Sequence, residues 1–260
     1  MQPEKILSRF LLARVLKLAV RLMATAVTQT AVCKNRILTG LPREQYDSLF
    51  SNLTPVNLHH QQVLYGAGDD IRCVYFINDG MASLMCLTTE GSSIEVGNVG
   101  NEGMVGIPVL HRRATSPHDV VVLVPGEALA VSTDILEREF NKEGELKNRL
   151  LSYTHALVTY ISQLGVCNHF HTVDKRLCRW LLNSSHQIQS QSFHLTHDAL
   201  SLVLGTGRTG VTMAANKLQK AGLIRYHRGQ ITILNYVGLE AACCDCYQIT
   251  KEVFDYPLGT

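Results

Sequence analysis

Between residues 168 and 236 the chain carries eight cations, Lys175, Arg176, Arg179, Arg208, Lys217, Lys220, Arg225 and Arg228, against two anions, Asp174 and Asp198. Clustered Lys and Arg neutralise phosphates and give a salt-sensitive affinity for nucleic acid that carries no sequence information. Base choice needs a more directional group. Arg208 stands at the exposed start of a helical pattern, and its guanidinium fork can pair with guanine, a contact worth about 1–3 kcal/mol of discrimination. Thr209, Thr212 and Met213 share the outward side and are suited to a thymine methyl or a phosphate. Thr196, Lys217, Arg225 and Arg228 complete the expected DNA-contacting set. The competing reading is a small helical subdomain with a solvated basic face.

The elements that must position these side chains are legible around them. Thr196 is a natural N-cap, Ala199, Leu200, Val203 and Leu204 form a buried stripe, and Gly205 ends that helix in the left-handed conformation glycine tolerates. A second helix runs from Arg208 to Ala221, burying Val211, Ala214 or Ala215, and Leu218, and Gly222 stops it. Two short helices joined by a tight glycine turn make a helix-turn-helix. Residues 223–233 then alternate around the basic tip His227-Arg228-Gly229, the pattern of a β-hairpin wing. Upstream, His171 to Ser185 reads as an amphipathic helix whose core face is Val173, Leu177, Cys178, Trp180, Leu181 and Leu182, followed by a polar linker, Ser190-Gln191-Ser192.

The first half has a different period. Candidate strands are Gln62 to Tyr65, Cys73 to Ile77, Ala82 to Leu87, Ser93 to Val96, Asp119 to Leu123 and Ala128 to Val131, separated by turn signals such as Asn78-Asp79-Gly80 and Pro125-Gly126. Short strands at this spacing imply an antiparallel barrel or jelly roll. After Ser132, Leu146, Leu150, Tyr153, Leu157, Tyr160 and Leu164 are spaced 4, 3, 4, 3, 4, the a/d seam of a two-stranded coiled coil. That seam points to a homodimer interface, with packing of the helix against its own β module as the alternative. Residues 1–22 interleave Lys5, Arg9, Arg14, Lys17 and Arg21 with an apolar run. The central charges exclude a membrane span and a signal peptide, leaving an amphipathic surface helix or a stretch upstream of a natural start at Met23.

The 260 residues are 46% hydrophobic and 18% charged, with 24 Lys plus Arg against 22 Asp plus Glu. This composition supports a packed core, typically of two domains, and excludes a disordered or polybasic tail protein. The eight cysteines are scattered except for Cys243-Cys244-Asp245-Cys246, which does not suit a secreted disulfide scaffold and favours a reducing cytoplasm. That cluster suggests soft-metal ligation, but no second Cys or His pair at zinc spacing accompanies it. The expectation is therefore thiols filling one side of a C-terminal helix, with no metal site. Nucleophile-elbow, P-loop and metalloprotease motifs are absent from the sequence, so no enzyme is expected.

The order of β module, long helix and winged helix-turn-helix resembles the Crp/Fnr superfamily of bacterial transcription regulators. The resemblance covers about Leu38 to Tyr247 and is most specific in Leu195-Thr196-His197-Asp198-Ala199-Leu200, Gly205 to Thr212 and Leu218 to Ile224. It implies an α+β fold: a cyclic-nucleotide-binding-type β-roll, a long dimerisation helix and a C-terminal winged helix-turn-helix. The corresponding domains are an extension over 1–37, a sensor over 38–140, the dimerisation helix over 141–167 and the DNA-binding domain over 168–260. It also implies a homodimer on a pseudo-palindromic site in double-stranded DNA near a promoter, with RNA polymerase as a partner, and it places Arg208, Thr209 and Met213 against base edges. Gly210 departs from the Ser or Thr usual in the family, removing a hydroxyl that would face a phosphate.

By the same resemblance the phosphate cassette is Gly100-Asn101-Glu102-Gly103-Met104-Val105-Gly106, and Gly100, Glu102, Gly103 and Gly106 are the candidate effector-binding residues. The segment that should supply an Arg-Ser pair reads Ser116-Pro117-His118-Asp119-Val120, so an anionic phosphate lacks its cation. Cyclic AMP is disfavoured and no cofactor is assigned. Only Cys33 lies near the N-terminus, which argues against an iron–sulfur cluster there. His59, His60, His118, His155, His169 and His171 are too unspecific to nominate as haem ligands. The alternative function is a cyclic-nucleotide-binding module that regulates a partner protein, which leaves the wing without a role. The formal charge of +2 is itself divided. Residues 23–145 sum to −7 and residues 168–260 to +3, an acidic sensor joined to a basic reader.

Overall fold

The computed structural model describes residues 33–258; residues 1–22, read as an amphipathic surface helix or a stretch upstream of a natural start, lie outside them. Two short helices, α1 (Arg36–Thr39) and α2 (Arg43–Phe50), precede an antiparallel β-roll of β1 (Thr54–Leu58), β2 (Val63–Tyr65), β3 (Cys73–Leu87), β4 (Ser93–Val99), β5 (Met104–Val105) and β6 (Asp119–Ser132). The order β1-β6-β3-β4 forms the sheet, with β2 also on β6 and β5 on β3.

Two pairs of expected strands are continuous. Asn78-Asp79-Gly80 and Pro125-Gly126 do not end strands; they lie within β3 and β6, which pair from Cys73↔Ser132 to Met85↔Asp119 with register shifts between Ile77 and Ala82. Turn residues facing one another across two long strands make bulges, which bend a sheet without cutting it. β1, absent from the expected strands, adds to β6 from Thr54↔Ala130 to Leu58↔Gly126.

Alternation along β3 explains how the two halves of the chain meet. Ala82 and Leu84 point into the β-roll core. Met81 points the other way and belongs to the core of the helix-turn-helix half. Both faces of this strand are covered, so its burial is nearly continuous.

Helix α3 (Thr133–Phe140) leads to the long helix α4 (Glu145–Phe170) and then α5 (Val173–Ile188). The expected seam on α4 is turned inward. Leu146, Leu150, Tyr153, Leu157, Tyr160 and Leu164 are all buried in the β-roll core of their own chain, the Tyr153 hydroxyl donates to Met104 O at 3.2 Å and the Tyr160 hydroxyl to Asn98 Oδ1 at 2.9 Å. A Cβ at Gly103 would collide with the Tyr153 ring. These residues are therefore core, because the roll offers an apolar face of matching length. The opposite stripe, Leu151, Val158, Val166 and Phe170, is exposed, Val158 at 60%.

The remaining elements are β7 (Ser192–His194), α6 (His197–Leu204), α7 (Arg208–Lys220), β8 (Ile224–His227), β9 (Gln230–Ile233), α8 (Tyr236–Ala242) and α9 (Cys246–Leu258). The wing has three strands in the order β7-β9-β8, so Ser192 belongs to a strand and not to the linker. α9 returns to pack on α4, with the Phe254 ring 5.5 Å from that of Tyr160. Among the described residues no helix is long and apolar enough to cross a membrane.

Candidate nucleic-acid interface

Thr196 Oγ1 accepts from the Ala199 amide at 3.2 Å and so caps α6. Gly205 closes it at φ 55°, and a Cβ there would run into Ile94 of β4. The turn between the two helices is thus seated on the β-roll.

On α7, Arg208, Thr209 and Met213 are exposed, Met213 at 69%. Arg208 Nε lies 3.1 Å from Asp198 Oδ1 at the start of α6, with both side chains about two-thirds exposed. Such a pair is worth at most about 1 kcal/mol, enough to orient the guanidinium and too little to withhold it from a base. Arg225 and Arg228 are exposed on the wing, Arg228 at its tip with φ 49°.

One expected contact is turned elsewhere and a second is exposed but ion-paired. Thr212 is half-buried; its hydroxyl donates to Arg208 O at 2.9 Å and meets His197 Nδ1 at 3.3 Å, so it joins the two helices instead of facing outward. Lys217 pairs with Asp174 at the start of α5 at 2.5 Å, and this carboxylate partner raises the ammonium's pKa. Among the other cations Arg179 is fully buried, so the outward charge is smaller than the sequence count.

A groove of about 490 Å³ runs between α7 and the wing, lined by Thr196, His197, Asp198, Arg208, Asn216, Gln219, Tyr226, Arg228 and Gly229. Tyr226 locks its floor, donating its amide to Gln219 Oε1 at 2.9 Å and its hydroxyl to Leu195 O at 2.8 Å. Asn216 is a residue that the sequence reading missed. Its signal was the helical spacing from Thr209 and Met213, and its amide has the donor–acceptor pair that suits adenine.

The effector candidates divide. A cavity of about 170 Å³ inside the roll is lined by residues including Tyr65, Leu84, Val99, Met104, Gly106, Ser116, His118, Leu157 and Ile161. Of the four effector candidates only Gly106 lines it. Glu102 is buried at the boundary with the DNA-binding half, where it accepts from the Gly100 amide at 2.9 Å and from Gln187 Nε2 of α5 at 3.0 Å. Burial pushes its carboxyl pKa up. Gly100 and Gly103 pack against Gln187 and Tyr153. The cavity is smaller than the roughly 300–1,000 Å³ of typical ligand sites, and neither Arg112 nor Arg113 reaches it.

The C-terminal thiols have neighbours with ligand atoms that the sequence reading did not foresee. Cys167 and His171, at the end of α4 and just beyond it, meet Cys244 and Cys246, and the donor atoms of all four lie within 4.8 Å of one another. The second pair was hidden in sequence because it lies more than seventy residues upstream.

Comparisons with known proteins agree with this architecture. Residues 55–143 match the cyclic nucleotide-binding domain family and residues 175–242 the Crp-like helix-turn-helix domain family. A global nitrogen regulator of Synechococcus elongatus is 21% identical over 187 residues, covering 68% of this chain and 84% of the relative. The solved structure of FixK2 from Bradyrhizobium japonicum superposes with a TM-score of 0.61 at 15% identity, covering 74% of this chain and 98% of that one. A transcriptional regulator of the CRP family from Thermus thermophilus gives 0.61 at 16% identity, covering 72% and 95%. These structural likenesses carry the fold.

Proposed function

Because the chain is a Crp/Fnr-type transcription regulator, with a cyclic nucleotide-binding domain followed by a Crp-like helix-turn-helix domain, we infer that it binds a pseudo-palindromic promoter site as a homodimer. The observation that carries this reading is the outward side of α7, where Arg208, Thr209, Met213 and Asn216 stand exposed beside the groove to the wing. Arg208 reads a guanine, Asn216 an adenine, and Arg225 and Arg228 hold phosphates.

Dimerisation uses the outer stripe of α4, Leu151, Val158 and Val166, since the inner seam is occupied by the chain's own core. Two recognition helices on a two-fold axis then address half-sites about 34 Å apart. RNA polymerase is the expected partner at the promoter, and eight free thiols among the described residues suit a reducing cytoplasm. The apolar cavity supports control by a small apolar effector. Its size and its lack of a cation argue against cyclic AMP.

Selection of fragments from a genomic library by the full chain, with and without cell extract, tests the reading. Enrichment of a two-fold symmetric sequence supports it, and extract-dependent enrichment adds an effector. Recovery of unselected sequence contradicts base readout.

A further inference from the structure

We propose that Cys167, His171, Cys244 and Cys246 form a tetrahedral zinc(II) site that ties the C-terminal helices to the hinge between α4 and α5. All four donor atoms lie within 4.8 Å of one another, and two of their distances match those around a single ion. Around tetrahedral zinc, with Zn–S of about 2.3 Å and Zn–N of about 2.0–2.1 Å, neighbouring sulfurs stand about 3.8 Å apart and a sulfur and nitrogen about 3.6 Å. Here Cys167 Sγ and Cys244 Sγ are 3.7 Å apart, and Cys246 Sγ and His171 Nδ1 are 3.5 Å apart.

The surroundings fit a metal centre better than thiols packed as small hydrophobes. Three thiolates and a zinc ion sum to one negative charge, and the buried Arg179 guanidinium lies beside it, with Nε donating to Cys167 Sγ at 3.2 Å. Gln163 Nε2 donates to Cys246 Sγ at 3.1 Å. His171 has its other ring nitrogen, Nε2, 4.0 Å from Asp245 Oδ1, too far for a hydrogen bond but near enough to place a carboxylate beside the imidazole. Cys167, Cys244 and Cys246 are buried and His171 is half-buried, so the site is closed, as structural zinc sites are.

The donor set also selects the metal. Three sulfurs and an imidazole suit zinc, whereas magnesium and calcium take oxygen ligands. An iron–sulfur cluster arranges its cysteines around a core of several atoms and needs donors further apart than these. Cys243 lies outside the group of four whose donor atoms converge within 4.8 Å. The ion would bind three places that no backbone hydrogen-bond ladder joins: the end of α4, the link to α5 and the link between α8 and α9.

The test uses the full chain purified under reducing conditions, with metal content read by elemental analysis and the stripped protein titrated with cobalt(II). The expected result is about one zinc per chain and, on titration, the intense visible bands and thiolate charge-transfer band of tetrahedral sulfur-bound cobalt. Cys243→Ser retains both, while Cys244→Ser and Cys246→Ser each lose at least about tenfold in affinity. Substoichiometric metal, a weak octahedral cobalt spectrum, iron with acid-labile sulfide, or an equal loss in Cys243→Ser would each overturn the proposal. The cobalt spectrum of the unaltered chain decides the matter even if a variant fails to fold.

Discussion

The indole Nε1 of Trp180 donates to the buried carboxylate of Glu95 at 3.0 Å, joining α5 of the DNA-binding half to β4 of the β-roll across 85 residues of sequence. The same carboxylate accepts from Ser83 Oγ at 2.6 Å and from Asn98 Nδ2 at 3.2 Å, and Asn98 in turn accepts from the hydroxyl of Tyr160 on α4. One acidic group therefore bonds directly to the β-roll and to α5, and reaches the long helix through Asn98.

Trp180→Phe removes the indole donor and leaves the carboxylate short of a partner. The expected cost is about 1–3 kcal/mol of global stability in urea unfolding. In a double-mutant cycle with Glu95→Gln the two changes should be non-additive by at least about 0.5 kcal/mol. Simple additivity would show that the contact does not couple the two halves.

Glu95 also makes stability depend on pH. Burial pushes its carboxyl from 4.5 up to about 7 against the pull of Ser83, Trp180 and Arg179. The folded state thus binds a proton more tightly than the unfolded state does. Its contribution is fully present below about pH 4.5 and is lost as pH rises through about 7. Glu95→Gln holds the neutral form, so its stability relative to the parent should rise between about pH 5 and pH 8. A pH-independent difference in urea midpoints would contradict the assignment.

The two faces of α4 should respond differently to substitution. Val158→Glu places a charge on the outer stripe and should shift sedimentation from dimer to monomer with the fold intact. Leu150→Ala opens a cavity in the core and should cost about 2–5 kcal/mol without changing the association state. Monomer from Leu150→Ala alone, or an unaltered dimer from Val158→Glu, would restore the inner seam as the interface.

On the reader, Arg208→Ala should relax preference at one base position. Arg228→Ala should weaken all sequences alike and lower the salt slope by about one ion. Thr212→Val should act on stability, because its hydroxyl bonds within the helix pair. Equal losses across all sequences for both arginine variants would remove the base-reading role of Arg208.

The helix-turn-helix was legible because its signals are local: Thr196 caps one helix, Gly205 and Gly222 end two, and the buried stripes keep helical period. The roll was legible in kind but not in connectivity, since Asn78-Asp79-Gly80 looks the same in a turn as in a bulge, and only the facing strand decides. The α4 seam shows the limit of periodicity. Spacing of 4 and 3 finds an apolar face but does not say whether a second chain or the chain's own sheet covers it. The thiol cluster, the Glu95–Trp180 bond and the Glu102–Gln187 bond are all long-range in sequence. For the same reason Lys217 and Thr212 were placed on the correct helix while their partners, Asp174 and His197, were out of view.

The most direct measurement is the affinity of the full chain for its selected duplex against a scrambled duplex of equal length, compared at two salt concentrations. The expected result is binding of the selected site at least about 10³-fold tighter than the scrambled one, with both affinities falling as salt rises. Equal affinities for the two duplexes would contradict sequence-specific readout by α7.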